Sequence, residues 1–71
     1  MVGYYKSLTD ESIYHVYKKG LDLYAQCLQC TVPRDNQPFP IIAHNIQRMI
    51  NWKSWELITD QSLINELQSN Q

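Results

Sequence analysis

Two glycines are all this sequence has. A backbone cradle for a phosphate group needs successive peptide N–H groups free of side chains, so that kind of site is not on offer. Two cysteines, Cys27 and Cys30, are too few for the disulfide scaffold of a small secreted domain. Charge is scarce as well: 18% of residues are charged and the net charge is −1, against a usual charged share of about 25%. No run of Lys or Arg exists to neutralise a phosphate backbone, so nucleic-acid affinity is expected to be weak. The longest apolar run, Pro40 to Ala43 with Phe39 before it, falls far short of the roughly 20 residues a membrane-spanning helix needs. Met1 is followed by Val2, Gly3 and two tyrosines, not by the basic and apolar regions of a secretory signal. A cytoplasmic protein without a membrane segment is the expectation. Nucleophile-elbow, phosphate-loop and HExxH patterns are missing too, which argues against enzyme activity.

What is present is globular. Hydrophobic residues make up 44% of the chain, and five Asn and seven Gln fill the place of the missing charges. Seventy-one residues make one domain at most. A chain of this length buries only about 60% of the surface it exposes when unfolded. Stability gained from a partner or a second copy is therefore expected, and a net charge near zero offers little repulsion against it.

Hydrophobic spacing predicts three helices. The first is expected over 10–30, with Thr9 as N-cap, Asp10 and Glu11 at the positive end of the dipole, and Leu8 and Ile13 as a staple across the cap. At 100° per residue, Ile13, Val16, Tyr17, Gly20, Leu21, Leu23, Tyr24, Cys27 and Leu28 share one broad face. Gly20 in that face suggests close approach of another helix. Residues 31–40 read as a linker, because prolines at 33, 38 and 40 exclude a regular helix; Phe39 should anchor it to the core. A second helix is expected over 40–57 and a third over 60–69. Residues 58–63 (Ile-Thr-Asp-Gln-Ser-Leu) nearly repeat residues 8–13 (Leu-Thr-Asp-Glu-Ser-Ile), which suggests the same capping chemistry with Thr59 as the second cap. The fold expected is all-α: a small three-helix bundle of two long antiparallel helices and a short C-terminal helix, oligomeric in solution.

Candidate sites are few. Cys27 and Cys30 form a C-x-x-C, but at the expected C-terminal end of a helix, where the dipole raises a thiol pKa. A metal or ligand site built from Cys27, Cys30 and His44 would lack a fourth ligand, so reduced, metal-free cysteines are expected and no cofactor is assigned. Glu11 and His15, four apart, read as a surface pair on a helix. The most informative pattern lies in the second helix, where Ile41, His44, Arg48, Trp52 and Trp55 recur at intervals of 3, 4, 4 and 3. Trp and Arg are enriched where binding energy concentrates, so this stripe is the candidate interface. Together these features point to a small non-enzymatic interaction protein (an adaptor, inhibitor or regulator) acting as a homo-oligomer or within a protein complex. The alternatives are a helix-turn-helix DNA-binding regulator using the second and third helices, and the Cys27–Cys30–His44 metal- or ligand-binding bundle.

Overall fold

Residues 13–17 read Ile-Tyr-His-Val-Tyr, β-branched or aromatic at four of five positions, the composition that a pleated surface accommodates best. In the computed structural model, which describes residues 2–29 and 37–69, this segment is a strand. The elements in order are β1 (Gly3–Ser7), β2 (Ile13–Lys19), β3 (Asp22–Gln29), β4 (Phe39–Ile41), α1 (Ala43–Asn51), β5 (Trp55–Leu57) and α2 (Gln61–Ser69). The five strands form one sheet in the order β4-β3-β2-β1-β5, and every pairing is antiparallel. After β4 the chain crosses the sheet through α1, and β5 then pairs with the far side of β1, setting Tyr5 opposite Leu57.

Turn chemistry fixes the meander. Between β2 and β3, Lys19 pairs with Asp22 across Gly20 and Leu21. Gly20 has φ +65° and Leu21 is not left-handed, the arrangement of a type II′ hairpin with glycine first. Between β1 and β2, the Ser7 N–H donates to the Ser12 carbonyl at 2.7 Å and the Glu11 N–H donates to the Ser7 carbonyl at 3.0 Å. The Asp10 carboxylate accepts from the Ser12 N–H at 3.0 Å, an Asx turn.

Successive residues of each strand point to opposite faces of the sheet, and both faces are covered. On the first, Tyr5, Tyr14, Val16, Ala25, Cys27 and Trp55 pack beneath Ile46 of α1, with Met49 and Ile50 beside it. On the second, Tyr4 and Ile13 pack with Leu67 of α2, joined by Leu28, Ile58, Leu63 and Ile64. The two helices therefore lie on opposite sides of the sheet. Val16 and Ile46 are completely buried, and covering a side chain of that size stabilises the fold by about 1.5–3 kcal/mol.

Both helices end in defined backbone chemistry. The C-cap of α1 is Trp52. After it Lys53 takes φ +57°, its N–H donates to the Ile50 carbonyl at 3.0 Å, and the Ser54 N–H donates to the Met49 carbonyl at 2.8 Å. This is a Schellman motif with a lysine where glycine is usual. At the start of α2 the Asp60 carboxylate accepts from the N–H groups of Ser62 (3.0 Å) and Leu63 (3.4 Å).

The all-α three-helix bundle is thus overturned. The segment expected as a helix over 10–30 is the β2–β3 hairpin, because its apolar residues serve two sheet faces and not one helix stripe. Gly20 makes a turn instead of a helix–helix contact. Thr9 caps nothing helical; its side-chain oxygen lies 2.9 Å from Ser7 Oγ in the β1–β2 turn. Of the helix expected over 40–57, only Ala43–Asn51 is helical, with β4 and β5 at its flanks. Residues 31–36 of the expected linker and Cys30 lie outside the described residues, while Phe39 and Pro40 are in β4. A helix expected over 60–69 is met by α2, with Asp60 and not Thr59 as the cap.

Candidate functional site

A concavity lies on the first face, between β4 and α1. Its floor is Tyr14 of β2 and Trp55 of β5. One wall is Phe39, Pro40 and Ile41 of β4, and the other is Asn45, Arg48, Met49 and Trp52 of α1 and its cap. The groove encloses about 470 Å³, within the range of natural ligand sites.

Register explains how residues far apart in sequence meet here. Ala25 pairs with Phe39 and Leu23 with Ile41, which puts both β4 side chains on the face that Tyr14 occupies. Tyr14 meets Phe39 edge-on at 6.4 Å between ring centroids and stacks on Trp55 at 5.0 Å. Tyr5 also stacks on Trp55, at 5.4 Å, so the floor indole has two phenol neighbours. Trp52 is different: it is 69% exposed, and its one ring contact is with Arg48, whose guanidinium carbon sits 4.7 Å from the ring centroid. Among the described residues, Arg48 is the only charged one lining the groove. It has no carboxylate partner among the described residues. The groove is therefore a rigid aromatic floor with one exposed Trp–Arg lip.

The second face offers aromatics of another kind. Tyr4, His15, Tyr17 and Tyr24 form a continuous row, with centroid separations of 4.5, 5.3 and 6.2 Å. Tyr4 and His15 are nearly parallel, at 11°. The ring faces along the row are spent on one another, so an incoming ring finds mostly edges there. Burial lowers the His15 pKa below the ordinary imidazole value, favouring the neutral ring. On the first face, burial raises the Tyr5 pKa.

Of the stripe expected to form an interface, Ile41, Arg48, Trp52 and Trp55 all line the groove, and the exposed His44 does not. They do not share one helix face as the spacing implied. Ile41 belongs to β4, Arg48 and Trp52 to α1 and its cap, and Trp55 to β5, where it is mostly core. Tyr14, Phe39 and Asn45 were missed as groove residues. The signal for Tyr14 was the run of β-branched and aromatic residues from Ile13 to Tyr17, which marks a strand.

The alternatives from sequence lose their geometry. α1 and α2 are separated by β5 and sit on opposite faces of the sheet, so they do not make a helix-turn-helix. Cys27 is disulfide-bonded and 5% exposed, which corrects the expectation of a reduced thiol there and removes its thiolate from any metal site. Cys30 lies outside the described residues, and His44 stands exposed on α1. Glu11, with φ +62° in the β1–β2 turn, is not on a helix with His15. No helix of the described residues is long and apolar enough to cross a membrane.

Fold and groove together define a small antiparallel-sheet domain with a helix on each face and an aromatic cleft at one side. No family, curated protein or solved structure matches the chain.

Proposed function

We propose that this protein is a non-enzymatic interaction module that holds a segment of a partner protein in the groove between α1 and β4. The observation that carries the reading is the exposed Trp52, with Arg48 over it, beside a floor of stacked aromatic rings. Trp, Tyr and Arg in a concave, rigid setting are the residue types that concentrate binding energy. Among the described residues the groove lining holds no Ser, Cys, His or carboxylate, so these supply none of the usual nucleophiles or neutral-pH proton carriers. Binding suits it better than bond-making.

Selection of a random peptide library on the immobilised protein tests this. Enriched peptides should bind the parent and lose most of their affinity for Trp52→Ala, which should stay folded because the residue is exposed. Peptides that bind parent and variant alike overturn the groove as the site. The sequence also raised self-association. If a second copy occupies the groove, light scattering will show a mass above the monomer's 8.4 kDa, and Trp52→Ala will return it to the monomer.

The compartment is part of the same question. The sequence suggests a cytoplasmic protein, yet cytosolic thiols are kept reduced and Cys27 is disulfide-bonded. Alkylation in native cells lysed directly into denaturant, so that burial no longer shields Cys27, separates the two when read by mass spectrometry: modification of Cys27 without prior reduction supports the cytoplasm, and protection supports an oxidising compartment.

A further inference from the structure

We infer that the groove selects an acidic peptide: a partner segment with a Glu or Asp beside a large apolar side chain, the carboxylate pairing with Arg48 and the apolar group entering over Tyr14. This inference rests on the reading of the groove as a peptide site and adds the chemistry of the occupant.

Three observations converge on it. First, among the described residues the lining is charged at one point, and the charge is positive. An arriving cation would meet Arg48 with no acid to offset it, whereas an anion would find an unanswered guanidinium. Second, Arg48 is already held in place. Its guanidinium lies 4.7 Å from the Trp52 ring centroid, and a stacked guanidinium still has its N–H donors in the ring plane free for a carboxylate. Asn45, one turn earlier on α1 and also in the lining, adds an amide that can donate to the peptide backbone or to the second carboxylate oxygen. Third, the apolar floor is formed by the buried Tyr14 and Trp55, while Trp52 beside Arg48 is exposed at the lip. The peptide's apolar group must sit inward of its acid, which requires the two to be neighbours along the chain. A bare anion would use Arg48 but leave the aromatic floor wet. A bare hydrophobe would cover the floor and bury the neighbourhood of an unpaired charge, which is costly.

The test uses short capped Gly/Ser peptides carrying one Phe with Glu, Gln or Lys next to it, on either side. Binding to the full chain is followed by the fluorescence of Trp52 and Trp55. The Glu peptide should bind the parent about tenfold more tightly than the Gln peptide, as expected for a hydrogen bond to a charged group. The Lys peptide should bind more weakly still, and the Glu advantage should shrink with added salt. Arg48→Glu should reverse the order, so that the Lys peptide binds best; a reversal cannot come from loss of fold. Equal binding of the Glu, Gln and Lys peptides overturns the acidic preference while leaving the groove standing as a peptide site. Failure of every peptide, together with saturation of the groove by free 2-naphthoate, overturns the peptide occupant and the proposed function with it.

Discussion

Replacing Ile46 by Ala asks whether α1 is held on the sheet by a single side chain. Ile46 is the one buried residue of α1 and is wholly inaccessible. Its neighbours in the core include Tyr5, Tyr14 and Trp55, whose rings are stacked on one another at 5.0–5.4 Å. Stacked rings cannot easily slide into a vacated space. The cavity should stay open, placing the loss in the upper part of the range for such changes, about 3–5 kcal/mol. A domain of this length has roughly 4–11 kcal/mol in total, at 0.05–0.15 kcal/mol per residue, so the variant should be severely weakened. The midpoint of thermal unfolding should fall by at least about 12 °C, taking about 4 °C per kcal/mol. Urea denaturation followed by tryptophan fluorescence gives the free energy directly, since Trp55 is in the same cluster. Ile42→Ala is the control. That residue is 60% exposed and caps α1 through its backbone alone, so the change should stay within about 0.5 kcal/mol. A loss below about 1 kcal/mol for Ile46→Ala would refute the packing of α1, and the groove would lose its helical wall.

Lys53→Gly should stabilise the protein by about 1 kcal/mol, because φ +57° is strained for lysine and free for glycine; an unchanged denaturation midpoint would mean that α1 ends elsewhere. Asp60→Ala should cost about 1 kcal/mol through loss of the cap on α2, and Thr59→Ala, whose residue makes no such bond, should be close to neutral in the same assay. Burial lowers the His15 pKa from 6.5, so the unfolded chain takes up the proton first. The contribution of His15 is therefore present above pH 6.5 and is lost below it, as pH falls through the lower pKa of the folded chain. Thermal melts across this range should show the decline, and His15→Phe should flatten that part of the profile.

The sequence carried more of the local chemistry than of the fold. Leu-Thr-Asp-Glu-Ser-Ile and Ile-Thr-Asp-Gln-Ser-Leu were legible as equivalent, and they are: Asp10 and Asp60 each accept from the N–H two residues on, both at 3.0 Å. The bond opens a strand in one place and a helix in the other, so an Asx turn by itself does not name the element that follows. What decides is the composition beyond it. Ile13–Tyr17 is β-branched and aromatic, and Gln61–Ser69 is built largely of Leu, Gln, Glu and other residues that a helix tolerates. The helical spacing of Ile13, Val16, Tyr17, Tyr24 and Cys27 misled because both faces of the sheet are covered. Alternation then leaves no polar side to reveal a period of two, and apolar residues fall at 3- and 4-residue intervals by default. Within the groove, Arg48 and Trp52 could be paired from sequence because four residues on a helix bring side chains together. Tyr14 and Phe39 could not, since their meeting depends on strand register that no local pattern records.

Placing β1 between β2 and β5 has a consequence for how the chain comes together in time. The β2–β3 hairpin closes across Gly20 and Leu21 and can form within microseconds. The pairing of Tyr5 with Leu57 must wait until β4 and α1 have crossed the sheet, a long loop whose closure is slow. Until then β1 has one satisfied side and one open side. Its unpaired N–H and C=O groups are an invitation to the same strand of a neighbouring molecule. On a ribosome that interval lasts as long as it takes to synthesise everything from β2 to β5. Aggregation of this protein is therefore a contest between β5 and other nascent chains for one strand edge, and slowing translation after α1 would tip it toward the neighbours.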